Sequence, residues 1–136
     1  MAWALYKREV EGFGAFIKEI LEKKVLSNDK KIYNSIELFY DFYDKHPTKF
    51  SFILLSQYNF PRELKVNKKL NPYHIMKECL KGMKQGKKIK DIDLLSGMIF
   101  GLILEPARMK ATKELKGKLK ERTEIVYKAC MSVINN

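Results

Sequence analysis

The order of apolar and polar positions predicts an all-α chain. Apolar residues recur at three- and four-residue spacing through most of the sequence, which is the period of an amphipathic helix. No segment has the pattern of a strand, and residues 61–70 lack sustained periodicity and are expected to form a surface loop. We expect one domain over 1–136, a bundle with helices at about 2–24, 29–45, 47–59, 72–86, 91–110 and 118–134.

Turn-forming residues set several of these boundaries. Residues 27–29 (Ser-Asn-Asp) are suited to cap the second helix, and Asp91 or Asp93 to cap the fifth. Pro47 and Pro72 are placed for the first turn of the third and fourth helices.

The fifth helix carries no charge between Asp93 and Glu105, in a chain of which 32% is charged. Apolar side chains occur all round it, which indicates burial on more than one side. Gly97 and Gly101 share a face and would allow another helix to approach closely. A plain core helix and a helix shared between the core and a subunit interface are both consistent with this pattern. Pro106 is expected to kink or end the helix near 105–110.

Composition narrows the class of protein. With 136 residues, 46% of them hydrophobic, the chain can bury a core. It opens with no secretory signal, and its longest uncharged run is too short to cross a bilayer, so we expect a cytoplasmic protein without a membrane partner. The cysteines, Cys79 and Cys130, are expected to be reduced. Abundant lysine and glutamate resemble the composition of thermophilic proteins.

The net charge of +11 raises the alternative of a basic helical nucleic-acid-binding protein. The lysine pairs at 23–24, 30–31, 68–69 and 87–88 fall near expected helix ends or loops, where cations complement the helix dipole. Only four arginines occur, although readout of bases usually depends on arginine. A solvated basic surface is therefore the favoured interpretation.

No residue pattern indicates an enzyme. His74 and Glu78 are spaced i,i+4, but two ligands do not make a metal site. Phosphate-binding loops, nucleophile elbows and zinc-protease motifs do not occur in the sequence. We therefore expect no catalytic residues, metal or cofactor.

Large apolar side chains from four predicted helices could converge at the bundle centre. They form either an ordinary filled core or a pocket for a small apolar effector, and the sequence does not separate the two. The candidate pocket residues are Phe13, Phe16, Phe39, Phe42, Phe52, Leu55, Tyr58, Met76, Cys79 and Met83.

Residues 71–110 resemble the C-terminal regulatory domain of the TetR family of bacterial transcriptional regulators. The family pattern D-x-[DE]-L-x-x-x-x-[IL]-x-G-x-[IL] is carried here by Asp91, Asp93, Leu94, Ile99, Gly101 and Ile103. The opening segment, WALYKREVEGFGAFIKEIL, is similar to the long helix that joins the DNA-binding and regulatory parts of such proteins.

The resemblance implies a ligand-sensing domain that forms a two-fold dimer through a four-helix bundle. Carried onto this chain, the bundle uses helices 91–110 and 118–134. The expected interface residues are Leu95, Met98, Ile99, Leu102, Ile103, Arg122, Val126, Ala129, Cys130 and Val133.

One departure from the family is large, because no helix-turn-helix motif is recognisable in the sequence. The chain is expected to be a regulatory fragment or a truncated member that contacts DNA only if that head is supplied. The leading hypothesis is thus a sensing and dimerisation domain, and a helical interaction module without a ligand is a further alternative.

Overall fold

The protein was analysed as a computed structural model, which describes residues 2–22, 27–56, 72–83 and 91–135. Within these ranges the chain forms six α-helices and no strand, which confirms the predicted all-α, single-domain bundle. The helices are α1 (Ala2–Leu21), α2 (Asn28–Lys45), α3 (Pro47–Ser56), α4 (Pro72–Gly82), α5 (Ile92–Ala111) and α6 (Thr123–Asn135), with a 3-10 turn at Leu119–Arg122.

Side-chain caps start two of the helices. The Ser27 hydroxyl accepts a hydrogen bond from the backbone N–H of Lys30 at 3.2 Å, at the start of α2. The Asp91 carboxylate accepts one from the N–H of Leu94 at 3.1 Å, at the start of α5. Both caps satisfy backbone donors that have no partner within the helix.

The core lies between α2 and α5, and side chains of α4 and α6 complete it. Among its fully buried members are Ile36, Tyr40, Leu80 and Ile99. The Tyr40 hydroxyl donates a 2.7 Å hydrogen bond to the backbone carbonyl of Ile103, which ties α2 to α5. Burial of this phenol raises its pKa, because the charged form loses its hydration.

Helix α5 continues through Pro106 to Ala111, so the proline does not end it. Ala107 directly after it is fully buried, and tertiary packing there outweighs the backbone hydrogen bond that a proline cannot make. The helix ends in a Schellman motif, in which the N–H of Glu114 donates to the carbonyl of Met109 at 2.8 Å and that of Lys113 to the carbonyl of Lys110. Lys113 has a φ of 64°, at the position where glycine is usual.

The last segment begins as a 3-10 turn and becomes α-helical only at Thr123. Asp44, near the end of α2, accepts hydrogen bonds from the backbone N–H groups of Leu119 and Lys120, both at 2.9 Å. A carboxylate distant in sequence therefore caps this turn and holds the α5–α6 connection against the bundle. None of the helices in the described ranges is long and apolar enough to cross a membrane.

Candidate functional site

The outward face of α5 is apolar and lacks side-chain bulk. Leu94 is 60% exposed and Met98 47% exposed, and Gly97 and Gly101 are exposed between and beside them. These four residues, which we name the α5 stripe, fall on one side of the helix at three- and four-residue spacing. An exposed apolar stripe on a long helix is typical of a surface that another helix covers.

Within the described part of the chain, no neighbour requires a glycine at either position of the α5 stripe. A Cβ atom built on either Gly97 or Gly101 meets no atom within 4 Å outside the helix's own backbone and the adjacent residues. Glycine in a helix interior costs about 1 kcal/mol relative to alanine. The packing of the described residues therefore supplies no contact that offsets this cost.

Two ion pairs border the α5 stripe. At one end the Asp93 carboxylate pairs with Lys77 of α4, and this hydrogen bond lowers the pKa of the Asp93 carboxyl group. At the other end Glu105 accepts hydrogen bonds from Arg108 Nε at 2.9 Å, which lower the pKa of the Glu105 carboxyl group. An apolar centre with a charged rim is the usual anatomy of a protein interface.

Helix α6 also carries exposed apolar surface. Tyr127 packs on Tyr33 of α2, with 5.3 Å between ring centroids, so α2 covers that flank of α6. Ile125, which is 71% exposed, and the half-buried Ala129 lie on the other flank. Helix α5 packs on α6, and α4 occupies the Asp93 flank of α5. Exposed apolar positions therefore occur on two helices that pack on each other, α5 and α6.

The structure divides the expected interface residues into two groups. Five of them are buried by the chain's own core, namely Leu95, Ile99, Ile103, Val126 and Cys130. Met98 is exposed, whereas four are partly buried, namely Leu102, Arg122, Ala129 and Val133. Leu94 and Ile125 were not among the expected residues. Their exposure follows from the rotation that the buried positions give each helix, which the uncharged sequence of α5 does not indicate.

Aromatic rings of the candidate pocket pack against one another. Phe13 of α1 lies 5.3 Å from Phe39 and 6.1 Å from Phe42, measured between ring centroids. Phe50 of α3, not an expected pocket residue, lies 5.5 Å from both Phe13 and Phe39. Because these rings pack edge to face against one another, the core is filled at this point.

The other candidate pocket residues are dispersed around these rings. Phe16 is 50% exposed and its ring lies 5.4 Å from that of Phe42. Met76 and Met83 of the α4 region are buried, and Cys79 is half-buried. Three expected residues lie outside the described residues or have side chains outside them, namely Phe52, Leu55 and Tyr58.

The titratable groups inside the fold are arranged for stability. Burial raises the pKa of the Cys130 thiol to about 12 and also raises that of Cys79, which keeps both thiols protonated and poorly reactive. In the described ranges, no three His, Cys, Asp or Glu side chains are grouped to hold a metal ion.

Comparisons with known proteins found no relative of this chain. The chain matches no protein-family model, no curated protein and no solved structure. The resemblance to TetR regulatory domains therefore stays a prediction from the sequence.

Proposed function

We propose that this chain is a dimerisation and effector-sensing domain of the TetR-like type, which associates with a second copy of itself through α5 and α6. The observation that carries the proposal is the α5 stripe. Helix α5 presents two large apolar side chains and two glycines to solvent, and no contact among the described residues explains the glycines.

A second copy is the occupant that fits the stripe best, because the stripe is complementary to itself. If two α5 helices cross antiparallel about an axis between Gly97 and Met98, Leu94 of one copy faces Gly101 of the partner subunit. Gly97 then faces Met98 in the same way, so each large side chain meets a gap. A two-fold interface requires this kind of self-complementary surface. Ile125 of α6 is a further apolar side chain that the subunit leaves exposed.

The sensing role rests on the aromatic side chains that α1, α2 and α3 bring together. An apolar effector would enter beside Phe13, Phe39 and Phe42, and methionines of α4 would adapt to its shape. The close packing of the described rings favours a second candidate function, dimerisation without an effector. In either case the domain recognises the base sequence of an operator only when a helix-turn-helix is supplied.

Glycine substitutions test the association. Gly101→Glu places a charge on the stripe where Leu94 of the partner subunit would pack, and we expect it to produce a monomer that retains its helical circular dichroism spectrum. Gly12→Glu is the matched control, since Gly12 is an exposed glycine in α1 and a Cβ there also meets nothing within 4 Å. The control should remain a dimer in sedimentation velocity at tens of micromolar. If both variants, or neither, dissociate, the α5 stripe is not the interface.

The sensing role has a separate test. Titration with 1-anilinonaphthalene-8-sulfonate, an apolar anionic dye, should show saturable binding at one site per chain and a rise in Tm with dye concentration. Absence of saturable binding by the folded protein would support the dimerisation module without an effector.

A further inference from the structure

The connection between α5 and α6 concentrates positive charge that the ion pairs of the fold do not neutralise. Residues 110–122, which we name the basic segment, contain six cationic and two carboxylate side chains. One of the carboxylates, Glu114, lies 3.6 Å from Arg108, outside the segment, and accepts a hydrogen bond from Thr112. Lys120 is 3.6 Å from Asp41 of α2.

Among the residues that the structure describes, three lysines of the basic segment have no acidic partner. Lys113, Lys116 and Lys118 are exposed, and no carboxylate of the described chain lies within 4.0 Å of their ammonium groups. Lys110 and Arg122 donate hydrogen bonds to backbone carbonyl groups of the segment itself. Because a carbonyl group carries no net charge, these bonds leave the two positive charges uncompensated. The segment thus carries a local excess of positive charge on one short stretch of chain.

The backbone of the basic segment is held in place at both ends and in the middle. The Schellman motif fixes its start, and Asp44 fixes its end through two 2.9 Å hydrogen bonds. Between them, Lys110 donates to the carbonyl of Gly117, and Arg122 donates to the carbonyl of Lys118 at 3.2 Å. The three free lysines therefore project from a fixed frame, which lowers the entropy lost when they meet a partner.

We propose that the basic segment binds the phosphate backbone of duplex nucleic acid, without reading its sequence. Lysine ammonium groups act as point charges for phosphates, and neutralising phosphates releases counterions. The net charge of +11 attracts such a polyanion from a distance. Nothing in this inference depends on the dimer.

Other anionic partners fit the segment less well. The two large apolar side chains of the basic segment face the core, since Leu119 is fully buried and Leu115 is half-buried against the core. The segment therefore has no apolar wedge to enter a bilayer. It also lacks the buried apolar centre on which stable protein interfaces depend.

The experiment compares two triple variants of equal net charge. The first is Lys113→Gln, Lys116→Gln and Lys118→Gln. The control is Lys18→Gln, Lys30→Gln and Lys81→Gln, spread over α1, α2 and α4. Fluorescence anisotropy of a labelled 20-base-pair duplex of random sequence is measured at several concentrations of KCl, and circular dichroism verifies that each variant is folded.

We expect the native chain to bind, with an affinity that falls as salt rises. The first variant should bind at least about tenfold more weakly, and its log–log salt slope should be shallower by about 3, since each phosphate contact contributes about 0.9. The control should stay within about twofold of the native chain. The proposal is overturned by absence of binding at 50 mM KCl, by equal losses in the two variants, or by tighter binding to polyglutamate or phosphatidylserine vesicles than to the duplex.

Discussion

Removal of the Asp44 carboxylate should destabilise the protein more than its position near a helix end suggests. The carboxylate accepts two backbone hydrogen bonds at 2.9 Å, from a partly buried N–H at Leu119 and an exposed one at Lys120. In Asp44→Ala, water replaces the second bond, whereas the first donor is left poorly solvated, which costs about 1–3 kcal/mol. Loss of a helix cap costs a similar amount. We expect a decrease of about 2 kcal/mol in the free energy of unfolding, or roughly 7 °C in Tm for a chain of this size.

Urea unfolding followed by circular dichroism measures this effect at one fixed protein concentration. Asp41→Ala is the matched control, one turn earlier in α2. The Asp41 carboxylate pairs with Lys45 at 2.9 Å and with Lys120 at 3.6 Å, and the hydrogen bond from Lys45 lowers the pKa of the carboxyl group. Because these ion pairs face solvent, we expect little change in stability. Equal urea midpoints for the two variants would refute the assignment of Asp44 as the cap.

Three further substitutions test separate features of the fold. Tyr40→Phe removes the buried hydrogen bond to the carbonyl of Ile103 and should lower the free energy of unfolding by about 1–2 kcal/mol, measured in urea; an unchanged midpoint would contradict the contact. Lys113→Gly relieves a positive φ and should raise the free energy of unfolding by about 0.5–1 kcal/mol, whereas a loss would show that the Schellman turn is not formed. The Cys130 thiol has its pKa raised from 9.0 to about 12 in the fold, so the unfolded chain loses this proton first. The contribution of the protonated Cys130 thiol to the free energy of unfolding is complete below pH 9. It should be lost between pH 9 and 12 at no more than about 1.4 kcal/mol per pH unit, and Cys130→Ala should flatten that decline of stability with pH.

Local signals predicted much of the fold. Prolines at Pro47 and Pro72 mark the first residues of α3 and α4, and Ser27 and Asp91 cap α2 and α5 as their positions suggest. These devices act within three or four residues, so the sequence displays them directly.

Long-range contacts account for what the sequence did not predict. The predicted range 91–110 left open whether Pro106 kinks or ends α5, and the continuation of the helix to Ala111 depends on packing around Ala107. The 3-10 turn before α6 depends on Asp44 of α2. Neither partner is visible from local periodicity. The Schellman ending was also hidden, because Lys113 stands where glycine would have signalled it.

The candidate surface could be predicted only in part. The uncharged run and the two glycines singled out α5 as a helix for close approach. Its outward face could not be chosen, because no polar residue marks that face between Asp93 and Glu105. The exposed position of Leu94 became evident only once the core contacts of Leu95 and Ile99 set the rotation of the helix. Likewise, the sequence pattern did not indicate the basic segment, because its lysines are spaced singly rather than in pairs.

The mass of the native protein in solution tests the central claim most directly. Size-exclusion chromatography with multi-angle light scattering, at about 50 µM and moderate salt, should give twice the 16.0 kDa of one chain. That mass is expected because the α5 stripe and Ile125 leave apolar surface that a second copy would cover. A mass of one chain across the accessible concentration range would contradict the account, since the stripe would then remain open to water.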